Sequence, residues 1–495
     1  MRKQVKGIIA LGVALAALGG GLAALKLTQP DDKELSSDAS SVVEESSGSG
    51  IELVRKDPNT VNKVVVSNTE GSFTVERTAK ATEEASATYT LSGYSDIPLD
   101  MYAISTIPNN LSDLYSDSIV EDVPTDLAKY GLENPVATAE LFYDSGESVK
   151  AYIGDAAPIP SSTYFMLEGD EKVYTVATSK ITNYCNEVTK FLNRTIVDEP
   201  SEDEMPIVKS LRIKREDIDY DIYIEYDERT ADENYQGGTA SSHLMIEPIK
   251  CFMGFESATT TIQGLFGLYC QDFYSVHPDE NDMAETGLAS PFCSVEMVCD
   301  NGKNYKFHLS ESFTNDEGVK CHYFILEGID VIYIVSAETA VWATVKPIEI
   351  TSRNVFASTV WDIRELKISG RDIADKIITG DGTSKEDYVA KNDGKDLDTE
   401  HFRKFYAFML STAAEDLAFG KTIPENAEPV LSFSVLDKNM TEPMVVEFYD
   451  DTEFMSLIVV DGECRYICTK GYVDTLAENI KRIDTGEEYI EKWKR

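Results

Sequence analysis

The chain has 495 residues, which is too long for a single hydrophobic core and predicts about three domains. Its 87 acidic and 45 basic residues give a formal net charge of −42 at pH 7, so the protein repels phosphate backbones and anionic lipid headgroups. This charge excludes nucleic acid as a partner and indicates a well-solvated surface.

Residues 1–27 predict a signal anchor, meaning an uncleaved transmembrane helix. The basic start MRKQVK precedes an uncharged run from Gly7 to Leu25, which is long enough to span a bilayer with its basic flank in the cytoplasm. A cleaved signal peptide is the alternative, although no small-x-small cleavage site precedes Lys26. In both cases we expect an exported body. The anchored form is a single-pass cell-membrane protein that contacts the lipid bilayer through residues 7–25.

The remainder of the chain predicts a linker and three related units. Residues 28–57 are rich in Ser, Gly, Asp and Glu and predict a disordered acidic tether. The three repeat units are predicted at residues 58–200, 201–358 and 359–495, and the third unit is degenerate.

The repeat is visible in two stretches. YGLENPVATAELFYDSGESVKAYIGD starts at Tyr130, and TGLASPFCSVEMVCDNGKNYKFHLSE starts at Thr286. After a three-residue insertion in the second unit, YFMLEGDEKVYTV aligns with YFILEGIDVIYIV, and Tyr174 aligns with Tyr333. In the third unit we align Phe448-Tyr449-Asp450 with Phe142-Tyr143-Asp144, and Tyr466 with Tyr174.

Each unit predicts an opening strand, short strands, a helix and then strands of alternating character. The first helix has Met101, Ile104, Leu111 and Leu114 on one face, with an N-cap at Asp100 and a break expected at Pro108. The third-unit helix has Phe402, Phe405 and Met409, with an N-cap at Asp398. A second helix with Ile181, Tyr184, Val188 and Phe191 is predicted to close the first unit. The fold class is therefore α+β, with three tandem related domains of antiparallel sheet backed by helices, after an N-terminal transmembrane helix.

The repeated Gly-Leu-x-x-Pro element predicts a helix stop. Gly131 suits a left-handed position that a residue without Cβ adopts easily, and Leu132 suits the apolar contact that follows. Pro135 prevents the helix from continuing. We interpret the element as scaffold and not as a binding loop.

YGLENP, YIGD, TYFMLEGDEKVYTV and FLNRTI resemble the bacterial domain-of-unknown-function 4340 family. The likeness covers Val61 to Ile196 and again Leu211 to Val355, and it fades in the third unit, which lacks the signature turn. The resemblance implies a membrane-anchored envelope protein with an auxiliary role beside ABC-type transporters of the gliding-motility kind. It implies no catalytic residues.

Several residue types could carry chemistry, and each has a plainer interpretation. Cys293 takes the place of Ala137, Cys299 that of Tyr143, and Cys468 that of Val176 in the repeat, so we predict that the eight cysteines are buried thiols, with a bridge such as Cys464–Cys468 as the alternative. The segment KNDGKDLDTE predicts an Asp-Gly turn and a helix cap instead of a calcium loop. A zinc hypothesis is weak because no ligand pair in the second unit has CxxC or HExxH spacing; its candidate ligands are Cys293, Cys299, Cys321, His308 and His322.

Arg194 and Arg353 recur at matching positions and could bind an anion, but we predict that each neutralises nearby carboxylates. The tyrosines Tyr174, Tyr333 and Tyr466 are predicted to pack between layers. No catalytic, cofactor-binding or metal-binding residue is predicted.

The leading hypothesis is a non-catalytic, membrane-anchored extracytoplasmic scaffold or auxiliary component of an envelope transport system, with ABC-type transporter subunits as partners. The alternatives are an exported hydrolase acting on cell-wall polymer or glycan, and a binding protein that captures a ligand.

Overall fold

Three large antiparallel sheets follow one another along the chain, one for each predicted unit. The computed structural model describes residues 50–231, 241–355, 358–382, 384–410 and 414–493. The predicted transmembrane segment lies outside these residues, as do positions 28–49 of the predicted tether. Among the described residues, no helix combines the length and the apolar character that a membrane crossing requires.

The first sheet has eight strands in the spatial order β4-β3-β2-β7-β8-β9-β10-β6. Its strands are β2 (Val61–Asn68), β3 (Gly71–Ala79), β4 (Thr88–Leu91), β6 (Ser118–Glu121), β7 (Ala137–Tyr143), β8 (Ser148–Ala156), β9 (Ser162–Leu167) and β10 (Val173–Ala177). A separate pair joins β1 (Ile51–Arg55) to β5 (Asp113–Ser116). The predicted tether, 28–57, therefore overlaps a strand at its end, because the alternating sequence IELVR pairs with the segment that follows the first helix.

The second sheet has the order β14-β13-β12-β11-β16-β17-β19-β20-β15, with β18 paired to β19. Its strands are β11 (Val208–Arg215), β12 (Ile222–Tyr226), β13 (His243–Glu247), β14 (Cys251–Phe252), β15 (Asp272–Val276), β16 (Cys293–Cys299), β17 (Asn304–Leu309), β18 (Phe313–Thr314), β19 (Lys320–Leu326) and β20 (Val331–Ser336).

The third sheet has the order β24-β23-β22-β21-β26-β27-β28-β29-β25. Its strands are β21 (Ile363–Gly370), β22 (Lys376–Asp381), β23 (Val389–Asn392), β24 (Lys395–Asp396), β25 (Ala414–Leu417), β26 (Leu431–Asp437), β27 (Met444–Asp450), β28 (Met455–Val460) and β29 (Glu463–Thr469).

All three sheets have one connectivity. The opening strand lies in the middle, the next strands extend the sheet on one side, and the last four strands extend it on the other side. The edge strand β6, β15 or β25 completes the far side. Each opening strand even carries a register irregularity at the same place, between Val61 and Lys63, between Val208 and Ser210, and between Ile363 and Glu365. This architecture confirms the predicted α+β class with several antiparallel-sheet domains; the boundaries of the units stay predictions.

The helices cover the sheets and are mostly short. They are α1 (Met101–Ser112), α2 (Thr178–Ile181), α3 (Thr259–Gln263), α4 (Glu280–Glu285), α5 (Pro347–Ile350), α6 (Thr399–Leu410) and α7 (Lys470–Arg482). The predicted cap at Asp100 is present, since its carboxylate accepts from the amides of Tyr102 and Ala103. The carboxylate of Asp398 likewise accepts from the His401 amide at the start of α6.

Two helix predictions need correction. The segment from Ile181 to Phe191 is not one helix, because 3₁₀ turns at Thr182–Tyr184 and Val188–Phe191 replace it. The Asn68 side-chain amide binds the carbonyls of Tyr184 and Asn186 at 2.9 Å each, which withdraws both groups from a helical pattern.

The face predicted for α1 also differs. Met101 is half exposed, and Leu114 is buried on β5 and not on the helix. Ile104, Ile107 and Leu111 are fully buried, and the helix continues through Pro108, which lies on the buried face.

The alignment of the third unit was wrong by one strand. Tyr143 ends β7, which pairs with the opening strand β2, whereas Phe448 and Tyr449 lie on β27, one strand further across the sheet. The strand equivalent to β7 is β26, which ends at Asp437. Because apolar residues alternate on both strands, the pattern alone does not distinguish them once the marker glycine is absent.

A continuous hydrophobic core joins the second and third sheets and also includes Ile97, Leu192 and Ile196 from the first unit. The Ile196 amide donates to the Leu268 carbonyl at 2.8 Å, and the Cys270 amide donates to the Arg194 carbonyl at 2.9 Å. The chain that leaves the first unit thus pairs with the second unit. The residues from Ile51 onward form one compact body.

Candidate binding cavity in the second unit

Arg194, one of the two recurring arginines, lies at the joint between the first two units. Its guanidinium group donates to the Gln271 carbonyl, lies 3.6 Å from the Asp272 carboxylate and stacks over Phe273. It neutralises a carboxylate, as predicted, but that carboxylate belongs to the next unit. Arg353 has an exposed side chain and forms no ion pair with any described residue, so the same prediction is wrong for it.

The tyrosines of the repeat pack as predicted. Tyr174, Tyr333 and Tyr466 are all buried, and each lies on the last of the four strands that complete its sheet. The segment from Lys391 to Glu400 forms the predicted turn, with positive φ at Asp393 and Gly394.

The cysteines and histidines of the second unit do not converge on a metal site in the described part of the chain, where no group of three or more potential ligands occurs. Cys293 and Cys299 point into the core from β16, as the alternation predicted. His308 lies on the neighbouring strand, where its ring nitrogens contact the Ser294 hydroxyl and the Glu327 carboxylate. His322 is the member of this group that reaches a cavity.

Two adjoining cavities, of about 420 Å³ and 390 Å³, lie beside β19 in the second unit and share Phe292, Glu311 and Ser312 as lining residues. We call them together the β19 cavity. The first part is also lined by Glu216, Ala284, Glu285, Thr286, Gly287, Ser290, Ser310, Phe313 and Tyr323. The second part is also lined by Arg215, Asp217, Lys320, His322, Ala343, Thr344 and Lys346.

The segment between β17 and β19 builds one wall of this cavity. This connection runs from Leu309 to Tyr323. The equivalent connection in the first unit runs from Ile153 to Tyr164 and is three residues shorter. The extra length forms β18, whose Phe313 pairs with Cys321 and stacks on Tyr323 at 4.3 Å between ring centroids. The insertion that the sequence alignment required is therefore the part of the second unit that walls the cavity.

Arg215 has a structural role at the cavity floor. Two of its nitrogens donate to the Asp217 carboxylate at 2.6 and 2.8 Å, and a third donates to the Val345 carbonyl at 2.6 Å. Asn68 occupies the equivalent end of the opening strand in the first unit and also binds carbonyls of its closing segment. Arg215 lowers the pKa of the Asp217 carboxyl group chiefly through these hydrogen bonds, so both groups are charged and mutually neutralised.

His322 is almost fully buried, with 1% of its surface exposed. Its Nδ1 lies 2.8 Å from the Ser310 carbonyl oxygen, which can only accept, so Nδ1 carries the hydrogen and Nε2 is an acceptor. Nε2 is buried and has no hydrogen-bond partner in the structure. Burial lowers the pKa of His322, which favours the neutral ring.

Two lysines line the same part of the cavity as this histidine. Lys320 precedes it by two residues on β19, and Lys346 lies across the cavity at the start of α5. Neither lysine forms an ion pair with a described residue, and both are exposed. A cavity with two unpaired ammonium groups is unusual on a protein whose net charge is −42.

His322 and Ser310 do not form a nucleophile–base pair in this cavity. His322 contacts the backbone carbonyl of Ser310, while the Ser310 hydroxyl donates to the Glu311 carbonyl, so the ring does not activate the serine. Glu216, Glu285 and Glu311 are exposed, whereas a glycosidase holds its acid in an apolar setting that raises its pKa. The lining offers hydrogen-bond donors, acceptors and aromatic rings, which are the groups that small-molecule sites use to orient a ligand.

Sequence reasoning missed the roles of Lys320 and Lys346 and gave His322 only as a zinc candidate. These residues converge through the fold, since 24 positions separate His322 from Lys346 in the chain. The one available signal was the insertion in the second unit.

The fold defines a class of protein with tandem antiparallel sheets of one connectivity, each backed by helices. A family model described as "Domain of unknown function (DUF4340)" matches residues 90–291. The matched segment starts within β4 and ends at Pro291, so it includes the first Gly-Leu-x-x-Pro element and reaches the second. The predicted resemblance to that family is confirmed. No curated protein and no solved structure matches the chain.

Proposed function

We propose that this protein is a non-catalytic, membrane-anchored extracytoplasmic scaffold that serves as an auxiliary component of an ABC-type envelope transport system. The observation that carries the proposal is the joint between like units. Ile196 is 4% exposed and lies in the core of the second unit, so neighbouring sheets hold a fixed relation to each other. Fixed, repeated sheets suit the presentation of surfaces to several subunits at once.

The family match and the uncharged N-terminal run support the same proposal. The resemblance implies a position beside a transporter, and an anchor would hold the acidic body close to the membrane. Electrostatic repulsion from anionic headgroups would keep that body away from the bilayer surface, where it can meet other extracytoplasmic domains.

Site-specific photo-crosslinking in membranes tests the proposal. Tyr102, Phe255 and Phe454 are exposed aromatic residues, one in each unit, and can be replaced by a photo-reactive amino acid without disturbing the core. We expect crosslinks to transporter subunits from at least one of these positions. Glu70, an exposed residue in the β2–β3 turn, is the matched position for background labelling. The proposal would be contradicted if none of the three positions gave a crosslink to a transporter subunit.

Ligand capture is a second candidate function, and the β19 cavity favours it. A scaffold needs no buried, unpartnered acceptor such as Nε2 of His322, whereas a binding protein uses such groups for orientation. Capture and scaffolding are compatible, because a captured ligand could pass to a transporter.

A further inference from the structure

We propose that the β19 cavity binds a small acidic saccharide, meaning a sugar that carries one carboxylate group. This inference concerns the second unit by itself and does not depend on a transporter partner. Three features of the cavity define the ligand: a buried acceptor, a pair of unpaired cations and an aromatic wall.

The buried acceptor is Nε2 of His322. His322 lines the cavity and its buried Nε2 has no partner, so a ligand group that donates a hydrogen bond there satisfies an acceptor that the free protein leaves unpaired. The Ser310 carbonyl fixes the ring tautomer, which makes Nε2 an acceptor whenever the ring is neutral. The complementary ligand group is therefore a hydroxyl or amide N–H, and a second carbonyl does not fit.

The cations are Lys320 and Lys346. Since Arg215 is neutralised by Asp217, the charges that remain in the lining of this part are the two ammonium groups and the Glu311 carboxylate, which together leave one net positive charge. The ammonium groups select an anionic group next to the hydroxyl that reaches His322. The rest of the protein repels anions, and Glu311 lies between the two parts of the cavity, so a single carboxylate fits better than a phosphate dianion or a polyanion.

The aromatic wall consists of Phe292, which lines both parts, and Phe313, whose ring is held by Tyr323. A flat apolar wall beside hydrogen-bonding groups suits a sugar ring, which has an apolar face and a rim of hydroxyls. The Ser312 hydroxyl and the Glu311 carboxylate lie at the junction of the two cavities, where they can bind further hydroxyls.

Calorimetry and NMR on the full-length protein in detergent test this assignment. The acidic probes are methyl β-D-glucuronide and N-acetylmuramic acid, and their neutral counterparts are methyl β-D-glucoside and N-acetylglucosamine. With five histidines in the chain, spectra of the ¹³C-labelled rings are simple enough to follow, and the variant His322→Gln identifies the relevant signal. We expect an acidic probe to bind, to shift the His322 signal and to leave the His401 signal unchanged.

The lysines supply the matched variants. Lys320→Ser and Lys346→Ser should each weaken binding of the acidic probe by about tenfold. Lys303→Ser removes an exposed lysine of the same unit outside the cavity and should not change the affinity. The inference is overturned if neutral and acidic probes bind equally well, or if no probe binds at millimolar concentration. It is also overturned if Lys320→Ser and Lys346→Ser leave the affinity for the acidic probe unchanged. Unchanged circular dichroism of each variant shows that a loss of affinity does not arise from unfolding.

Discussion

The Gly-Leu-x-x-Pro element provides a quantitative test of the helix-stop interpretation, because its two copies differ in one respect. Gly131 and Gly287 both have a left-handed backbone, with φ of 66° and 74°. A Cβ on Gly287 would meet nothing within 4 Å, whereas a Cβ on Gly131 would lie 2.5 Å from the Asp155 side chain. Gly287→Ala therefore carries the backbone penalty alone, which is roughly 1–2 kcal/mol.

Gly131→Ala adds the displacement of Asp155. Moving that exposed side chain from its rotamer costs about 0.5–1.5 kcal/mol, so the total destabilisation should be about 1.5–3.5 kcal/mol. In the double variant Gly131→Ala, Asp155→Ala, the destabilisation caused by displacing Asp155 should disappear, and the backbone penalty should remain. Asp155→Ala by itself gives the reference for this cycle.

Urea unfolding followed by far-ultraviolet circular dichroism measures these differences as shifts of the transition midpoint. The expected order of destabilisation is Gly131→Ala first, then the double variant, with Asp155→Ala close to the wild type. If removing the Asp155 side chain restores nothing, the clash is not the origin of the added loss. If Gly287→Ala has no effect, a left-handed backbone is not what the element requires.

Further predictions concern the joint, the cavity and the thiols. Ile196→Ala should lower the free energy of unfolding by about 2–4 kcal/mol. All tryptophans lie in the second and third units, so a lower urea midpoint in tryptophan fluorescence would show that this change in the first unit destabilises the others. An unchanged midpoint would mean that the units unfold independently. Burial lowers the pKa of His322, so the unfolded chain binds its proton more tightly and the stabilisation from the neutral ring is complete above about pH 6.5 and is lost as the pH falls below that value. The midpoint of the wild type minus that of His322→Gln should therefore fall from pH 7.5 to pH 5, and a constant difference would refute the lowered pKa. Burial raises the pKa of Cys293 to about 12, so in the native protein a thiol-specific reagent should modify the half-buried Cys185 and Cys464 well before the six buried thiols, including Cys293. Equally rapid labelling of all eight thiols would contradict that burial.

The sequence predicted local features whose cause is local. Asp100 caps a helix because a short carboxylate can reach the amides that follow it, and Gly131 ends a turn because it lacks Cβ. Both features depend on neighbouring residues alone. The repeat also predicted which tyrosines share a strand position, since Tyr174 and Tyr333 lie in matching sequence on both sides.

Predictions failed where distant residues decide the structure. Asn68 competes for carbonyls more than a hundred positions away, which breaks the helix that the spacing of Ile181 and Tyr184 predicts. In the third unit, Phe448 was assigned to the wrong strand because two neighbouring strands have the same alternation. The β19 cavity could not be predicted for the same reason, since its lysines and histidine come together only when the sheet has formed.

The same strand position holds a buried polar residue in all three units, and this repetition explains how the second unit acquired a cavity. Register places Thr163, His322 and Ser456 at equivalent points, opposite Val176, Val335 and Cys468. In the first unit the Thr163 hydroxyl is paired with that of Thr178 at 2.9 Å, so the position needs nothing further. In the third unit the Ser456 hydroxyl is buried without a partner, but no β18 wall stands beside it among the described residues.

Only the second unit, within the described chain, combines an unsatisfied acceptor with an added wall and two unpaired lysines. The repeated fold therefore supplies a polar position at the end of one strand, and the insertion before β19 converts that position into a cavity. A shortened connection that deletes β18 but keeps His322 should retain the sheet and abolish saccharide binding. If such a variant still binds the acidic probe with unchanged affinity, the repeated polar position is sufficient and the insertion has another role.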